Sequence, residues 1–381
     1  MLDGATICPR LRMARFSPSY AAGLIAVVAT LAAGAPHAAV DDSLADLAAR
    51  YRDGERAASL HAIEAWKAER IKQETRLFLR TRLPSGQPGD PALVLAASLM
   101  FAQSGLTLAG SSLERAWTQL DASAELLRAA ARRRDCEACD ACSRGLFLLG
   151  GLAFHNTLEL SRGQDLLADG VERFPADPEL WTALGAIQET AASLRTFGGA
   201  TGPITPAARP KSLRIEGDAG PFRLRLPEAS LSRAEDHLAR ALQLAPDLVE
   251  ARLRLARVRI LRGHAADALP HLAFVGERAP LASRRYLALL FRARAHEQLG
   301  DLAAAADAYR TALGVAPAAS AARVGLGRSL TLLGEPSLAQ ETFAEAMALS
   351  DATPDPWWSY GRGQPETLAT RLATLVESCP R

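Results

Sequence analysis

Lysine and aromatic residues are scarce in this 381-residue sequence. Aromatics make up 6% of the chain, and only three of its 44 basic residues are lysines. The basic residues barely exceed the 42 acidic ones, so the chain lacks the basic excess of a protein that binds nucleic acid electrostatically. Alanine fills much of the apolar fraction, which favours closely packed helices over sheets. We therefore expect an all-α protein that does not bind nucleic acid.

The common catalytic motifs are also missing from the sequence. It contains no G-x-S-x-G turn, no H-E-x-x-H motif, no P-loop and no glycine-rich dinucleotide turn after a strand. Catalysis needs a nucleophile with a base, paired carboxylates or a metal held by suitable ligands. We therefore predict a protein that is not an enzyme and holds neither a cofactor nor a metal.

Residues 1–39 have the pattern of a secretory signal peptide. Arg10, Arg12 and Arg15 precede an uncharged apolar run over residues 21–33, and small residues follow this run. A membrane-spanning helix needs ~20 apolar residues, so a cleaved leader is the better reading, with no membrane span afterwards. We expect the mature protein to be exported to the periplasm or cell envelope.

The rest of the sequence repeats itself. Glycines, alanines and aromatic rings recur 34 residues apart in the pairs Gly300 and Gly334, Ala305 and Ala339, Tyr309 and Phe343, and Ala312 and Ala346. This period and these residue types resemble the tetratricopeptide repeat, whose unit is a hairpin of two helices, A and B. Pro317 falls where helix B of one unit must end. The resemblance implies a right-handed superhelical solenoid of helical hairpins, in which the ring fills the gap between neighbouring hairpins.

After the leader, the resemblance divides the chain into three parts. Residues 40–175 are degenerate N-terminal helical repeats, and residues 176–353 are clear repeats. A Gly/Pro-rich insertion over residues 195–227 separates the two helices of one repeat and contains either a small β-hairpin or a disordered linker. Residues 354–381 form a C-terminal cap, in which Trp357, Trp358 and a helix over 364–377 would cover the last repeat.

Three cysteines form the main chemical cluster. Cys136, Cys139 and Cys142 provide too few thiolates for an iron–sulfur cluster, and a serine replaces the histidine of a haem-attachment motif. An oxidising compartment favours disulfides, with Cys136 joined to Cys139 and Cys142 either free or joined to Cys379. Zinc bound with His155 as a fourth ligand, and reduced thiols, are the alternatives.

The resemblance also implies a binding surface, because positions 5 and 9 of helix A line the concave groove of these solenoids. Position 9 is arginine and position 5 is aliphatic in three successive units: Arg257, Arg294 and Arg328, with Leu253, Leu290 and Val324. Guanidinium groups bind carboxylates bidentately, so the expected partner is a protein or peptide segment with acidic and apolar residues. Arginines that merely solvate helix faces are the competing interpretation.

These features together predict an exported tetratricopeptide-repeat scaffold that mediates protein–protein interaction through its concave groove. Two alternatives remain at this point. One is an envelope metal or thiol module, or an enzyme, that uses the cysteine cluster. The other is a structural subunit of an envelope assembly.

Overall fold

The computed structural model describes residues 42–82, 90–132, 137–197, 228–349, 355–363 and 365–379. These ranges form 17 helices and contain no strand, which confirms the predicted all-α class. The leader, the predicted β-hairpin and Cys136 lie outside the described residues. The helices are α1 Leu44–Arg52, α2 Arg56–Glu64, α3 Ala68–Arg82, α4 Pro91–Leu108, α5 Leu113–Ala131, α6 Glu137–Asn156, α7 Leu160–Arg173, α8 Pro178–Phe197, α9 Glu228–Leu244, α10 Val249–Leu261, α11 Ala265–Arg278, α12 Ala282–Leu299, α13 Leu302–Val315, α14 Ser320–Leu332, α15 Pro336–Ala348, α16 Pro356–Tyr360 and α17 Pro365–Ser378.

From α4 to α15 the helices pair as antiparallel hairpins, each of which packs on the next. The first helices of the hairpins (α4, α6, α8, α10, α12 and α14) also contact one another in succession and form what we call the inner layer. Helices α8 and α9 pack together although residues 198–227 separate them, as expected for the two helices of one hairpin. Contacts between sequence neighbours of this kind define an α-helical solenoid.

The repeated small and aromatic residues have the roles that the repeat pattern predicts. Gly300 ends α12 at a φ of +82°, a left-handed conformation that glycine adopts without strain, and Gly334 has a φ of +80° at the equivalent turn. The ring of Tyr309 is 1% exposed and lies against Gly325 of the next hairpin, where a Cβ would come within 2.3 Å of the ring. The missing side chain therefore lets neighbouring hairpins approach closely.

Helix α4 is apolar around its whole circumference. By length and composition it is the one described helix that could cross a membrane, but 83% of it is buried inside the protein. Helices α1, α2, α5 and α6 pack around it. A helix enclosed on all sides needs no polar face, so α4 is the centre of the N-terminal core.

Residues 355–363 and 365–379, here called the C-terminal segment, do not cover the last repeat. Helix α17 packs instead against α6 and α4, near the other end of the solenoid, and α16 packs against α12. Helix α15 stays largely exposed, with only Ala339 and Thr342 buried. This corrects the predicted capping arrangement. The leucines of α17 become buried in the large N-terminal core, whereas the alanine-rich face of α15 offers them little to pack against.

Candidate partner-binding groove

The C-terminal segment crosses the inner layer from α14 to α4. It starts at Asp355 beside the beginning of α14, passes over α12 and α10 as α16, and ends as α17 on α6 and α4. The segment therefore runs along the inner face against the direction in which the repeats follow one another. The groove expected to bind a partner already holds a polypeptide segment, which is part of the same chain.

Trp357 occupies a cage of cations and rings on this face. The guanidinium carbons of Arg294 and Arg257 lie 4.4 Å and 4.8 Å from the centre of its ring. Phe291 meets the ring edge-on with the two centroids 5.9 Å apart, and Tyr360 stacks on it at the same distance. Cation–π contacts of this kind grow stronger when the groups are desolvated. Two of the three repeated arginines thus bind an aromatic side chain.

Tyr360 closes a buried ionic cluster. Its hydroxyl donates to Glu189, at 2.8 Å from Oε1, and its backbone oxygen accepts from Nη2 of Arg254 at 2.9 Å. Glu189 also accepts from Arg254 Nη1 at 3.0 Å and pairs with Arg257. Burial, aided by the Glu189 carboxylate, raises the pKa of Tyr360 far above its ordinary value, so the hydroxyl keeps its proton.

Arg254 and Glu189 each have no exposed side-chain surface. Arg254 donates its third bond to Glu250, which also pairs with Arg284 at 2.9 Å. Buried charges are tolerated only when they are paired and hydrogen-bonded, and this network meets that condition. These pairs connect Glu189, Arg254, Arg257, Glu250 and Arg284 in one ionic network under the segment.

Asp355 fixes the beginning of the segment. Its Oδ2 accepts from the backbone N–H of Ala321, 2.7 Å away in the first turn of α14, and its Oδ1 caps α16 by accepting from Trp357 N at 2.9 Å. The N–H groups of a helix N-terminus have no partner within the helix and carry partial positive charge. Asp355 is only 4% exposed, so this end of the groove recognises a buried carboxylate.

Helix α17 fixes the other end of the segment. Arg371 forms a two-pronged ion pair with Glu179 of α8, with N–O distances of 3.0 Å and 3.1 Å. Leu368, Leu372 and Leu375 join the N-terminal core. Cys379 then forms a disulfide with Cys142 of α6. The end of the chain is therefore covalently tied to its N-terminal half.

Gly363 lies between α16 and α17 and packs against His155 of α6. It has a φ of +67°, and a Cβ added to it would lie 2.5 Å from Nδ1 of His155. His155 is 1% exposed and shares a 2.9 Å hydrogen bond with Thr190 through Nε2. Burial, followed by the charge of Arg254, lowers the pKa of His155 well below its ordinary value, so the ring is neutral.

The residues predicted to line the groove divide into two groups. Arg257 and Arg294 lie together under Trp357, whereas Arg328 stands apart and pairs with Glu297, with 60% of its side chain exposed. The aliphatic residues divide in the same way, because Leu253 and Leu290 are fully buried and Val324 is 52% exposed. The predicted groove is thus covered over α10 and α12 and open over α14.

Two of the clustered cysteines are disulfide-bonded. Cys142 pairs with Cys379 across 237 residues of sequence, and Cys139 is also in a disulfide. Across the described ranges no group of three or more His, Cys, Asp or Glu side chains could hold a metal ion. His155, weighed above as a zinc ligand, hydrogen-bonds to Thr190 instead.

Sequence reasoning missed Glu189, Arg254 and Tyr360 as residues of the groove. The available signal was Arg254, which shares a helix face with Ala251 and Val258, three positions before it and four after it. Such a position requires a buried partner, but the sequence does not say which one. That partner comes from α8 and from the end of the chain, 65 and 106 residues away.

No protein-family model matches the chain, and no curated protein sequence matches it. Among solved structures, a tetratricopeptide repeat protein from Parabacteroides merdae covers 88% of this chain and 98% of its own, at 12% identity and a TM-score of 0.43. MamA from Desulfovibrio magneticus RS-1 covers 51% of this chain and 88% of its own, at 19% identity and a TM-score of 0.37. A MamA RS-1 double mutant gives 17% identity and a TM-score of 0.40 over 54% of this chain and 93% of its own.

The class of protein follows from the chain's own geometry. The turns of its last two hairpins lie 34 residues apart at the left-handed Gly300 and Gly334, and the Tyr309 ring packs between these hairpins. The protein is an α-helical solenoid whose last hairpins resemble tetratricopeptide repeats.

Proposed function

We propose that this protein is an exported, non-catalytic scaffold that binds another protein through the inner face of its solenoid. The observation that carries the proposal is that this face already holds a polypeptide segment, the C-terminal segment of the same chain. It does so with a helix N-terminus for a carboxylate, arginines for an aromatic ring and a buried glutamate for a hydroxyl. Solenoids of stacked hairpins present extended concave surfaces that are suited to such segments.

The open part of the groove is the proposed landing site for the partner. Val324 is 52% exposed on α14, Arg328 is 60% exposed on the same helix, and Leu332 is 61% exposed at its end. Arginine beside exposed aliphatic residues suits a segment that carries a carboxylate and apolar side chains. This is the partner chemistry that the sequence predicted, restricted to the last inner helix.

The chemistry of the covered groove supports a binding role rather than a catalytic one. Glu189 is already paired with Arg254 and Arg257 and accepts a hydrogen bond from the Tyr360 hydroxyl. A catalytic acid or base must reach a substrate, and Glu189 has no exposed surface. These groups are suited to holding a polypeptide in place.

The export part of the proposal depends on the leader and receives support from the disulfides. Disulfides persist in oxidising compartments, and Cys142 pairs with Cys379. A fusion of residues 1–45 to a reporter that is active only outside the cytoplasm should therefore be active. A silent reporter would contradict export, and the matched control is the same fusion with Arg10, Arg12 and Arg15 changed to glutamate.

The binding part is tested by capturing envelope proteins on the purified full chain and measuring the affinity of the captured partner. Arg328→Ala should weaken binding by about 1–3 kcal/mol, because it removes a charge-assisted contact. Arg310→Ala, an exposed arginine on the outer helix α13, is the matched control. If a short loop in place of residues 199–226 abolishes binding while Arg328→Ala has no effect, the insertion is the recognition element instead.

A further inference from the structure

The stretch from Asp355 to Tyr360 binds the groove in the manner of a short linear motif. Three of its six residues make the contacts: the Asp355 carboxylate, the Trp357 ring and the Tyr360 side chain. Trp358 lies between Trp357 and Tyr360 in the sequence, and its side chain is 67% exposed to solvent. The groove thus recognises an acidic residue, an aromatic residue two positions later and a tyrosine three positions after that.

Each of the three pockets is built by the solenoid rather than by the segment. The first turn of α14 receives the carboxylate, Arg294 and Arg257 on two successive inner helices hold the tryptophan ring, and Glu189 on a third receives the hydroxyl. The equivalent positions 9 of α10 and α12 supply the two arginines. Repeated positions on a solenoid are where a bound segment makes repeated contacts.

The segment leaves part of the same surface unused. Arg328 is the next arginine in this register, and it contacts Glu297 but no residue of the segment that the structure describes. A partner segment that carries a further carboxylate could therefore bind where the chain's own segment binds and gain a contact with Arg328. The additional contact with Arg328 would raise the affinity of the partner segment, so that it can compete with the tethered segment of the chain.

We propose that residues 355–360 are an intramolecular stand-in for a partner segment of the same chemistry, an acidic residue followed by Trp and Tyr at the spacing Asp-x-Trp-x-x-Tyr, and that the two exchange in the groove. The inference rests on the proposed function, since it names the partner chemistry for the inner face. It also gives the segment a regulatory role. A tethered segment competes at an effective concentration of about millimolar, so it lowers the apparent affinity of every partner.

The Cys142–Cys379 disulfide strengthens this competition. It holds the end of the segment on α6, so the groove-bound part is tethered on both sides. Breaking the disulfide leaves α17 held by its leucines, by the Arg371 ion pair and by the hydrogen bond from Arg56 to the Val376 carbonyl. Partner binding should therefore be tighter in the reduced chain.

The test uses a fluorescent peptide with the sequence of residues 353–362 and full-length protein, with fluorescence anisotropy as the readout. In Trp357→Ala/Tyr360→Ala the chain's own side chains no longer fill the pockets, so this variant should bind the peptide at least about tenfold more tightly than wild type. Adding Arg257→Ala to this variant should lower the affinity about tenfold again. A peptide with alanine in place of the two contacting aromatics is the matched control.

Several results would overturn the inference. One is a folded Trp357→Ala/Tyr360→Ala variant, checked by circular dichroism, that binds neither peptide or binds both equally. If that variant has lost helix content, Asp355→Asn is the milder variant, and unchanged peptide affinity in Asp355→Asn overturns the inference. A concentration-dependent dimer of the wild type, seen by analytical ultracentrifugation, would assign the groove to the segment of a second copy.

The outcomes separate this inference from the proposed function. An envelope partner that depends on Arg328, together with a peptide that fails to bind, refutes only the stand-in role. An envelope partner that binds Trp357→Ala/Tyr360→Ala more tightly than wild type supports both. A chain that binds the peptide but captures no envelope protein supports the groove chemistry and contradicts the scaffold role in the envelope.

Discussion

Glu189 lies between two arginines and a tyrosine with no access to water. Its two sequence neighbours in α8, Gln188 and Thr190, are also buried polar residues. The Glu189 carboxylate is shared by Arg254 and Arg257, and Arg254 also pairs with Glu250. Removing that charge leaves two guanidinium groups with too few acceptors in a desolvated site.

Glu189→Gln should lower the free energy of unfolding by about 3–5 kcal/mol, the usual cost of removing one partner of a buried ion pair. Chemical denaturation followed by circular dichroism measures the change. Glu341→Gln, at an exposed position of α15, is the matched control and should change stability by less than about 0.5 kcal/mol. A Glu189→Gln variant as stable as this control would show that the ionic cluster contributes little to folding.

The buried His155 and the half-buried His271 make stability depend on pH. Burial and Arg254 lower the pKa of His155, and burial, Arg259 and Arg252 lower the pKa of His271 to about 4. In the unfolded chain both imidazoles take up protons below pH ~6.5. The folded protein keeps them neutral to lower pH, so the unfolded state binds more protons in this window and stability falls as the pH falls.

The melting temperature should therefore decrease between pH 7 and pH 5, and His155→Gln should make this decrease smaller. Scanning calorimetry at several pH values measures both. His264→Gln, at an exposed position before α11, should leave the pH dependence unchanged. A wild-type melting temperature that rises as the pH falls would contradict the sign of this prediction.

At the scale of elements, the C-terminal segment changes direction at Gly363. The residue joins α16, which belongs to the α10–α15 core, to α17, which belongs to the α1–α8 core. Its left-handed conformation and its contact with His155 both exclude a side chain. The turn between α16 and α17 therefore requires a glycine.

Gly363→Ala should destabilise the protein by more than about 2 kcal/mol, because left-handed strain of about 1–2 kcal/mol adds to overpacking of about 1–3 kcal/mol. Thermal unfolding measures the loss, and acrylamide quenching of tryptophan fluorescence reports whether Trp357 leaves its cage. Gly334→Ala, with a φ of +80° and no atom within 4 Å of its added Cβ, has the strain without the clash and is the matched control. Equal losses in the two variants would exclude the His155 contact as a cause.

At the scale of the whole molecule, the C-terminal segment ties the two ends of the solenoid together. In a solenoid each repeat normally contacts only its neighbours, so the ends are independent. Here Tyr360 packs into one core and Leu368, Leu372 and Leu375 into another, and the disulfide joins residues 237 apart. The segment therefore couples parts of the chain that the repeats alone leave separate.

Cys142→Ser/Cys379→Ser should lower the free energy of unfolding by about 2–5 kcal/mol, chiefly because the unfolded chain regains freedom. Reductant should lower the melting temperature of the wild type more than that of the double variant, in which only the disulfide of Cys139 remains to be reduced. In the oxidised wild type neither Cys142 nor Cys379 should react with a maleimide. Full thiol reactivity without reductant would contradict the disulfide.

The repeat hairpins follow from the sequence because their causes are local. The 34-residue spacing of Gly300 and Gly334 fixes the positions of the turns. The position of Tyr309 in α13 follows from its distance along the sequence from the turn at Gly300. The all-α class and the stacking of hairpins need only such short-range information. The six groove residues also lie on inner helices, as their positions within the repeat unit predict.

The destination of residues 355–379 was decided by tertiary structure alone. Trp357 and Trp358 are residues that could cover a last repeat. Nothing in their spacing shows whether they pack on the last repeat or on the inner face of the solenoid. The choice depends on Arg254, Glu189 and Gly145, which meet the segment only after the solenoid has formed; Gly145 leaves the space that Leu375 fills. Repeats are specified by contacts between sequence neighbours, whereas the contents of the groove depend on contacts more than 100 residues apart, which no local pattern encodes.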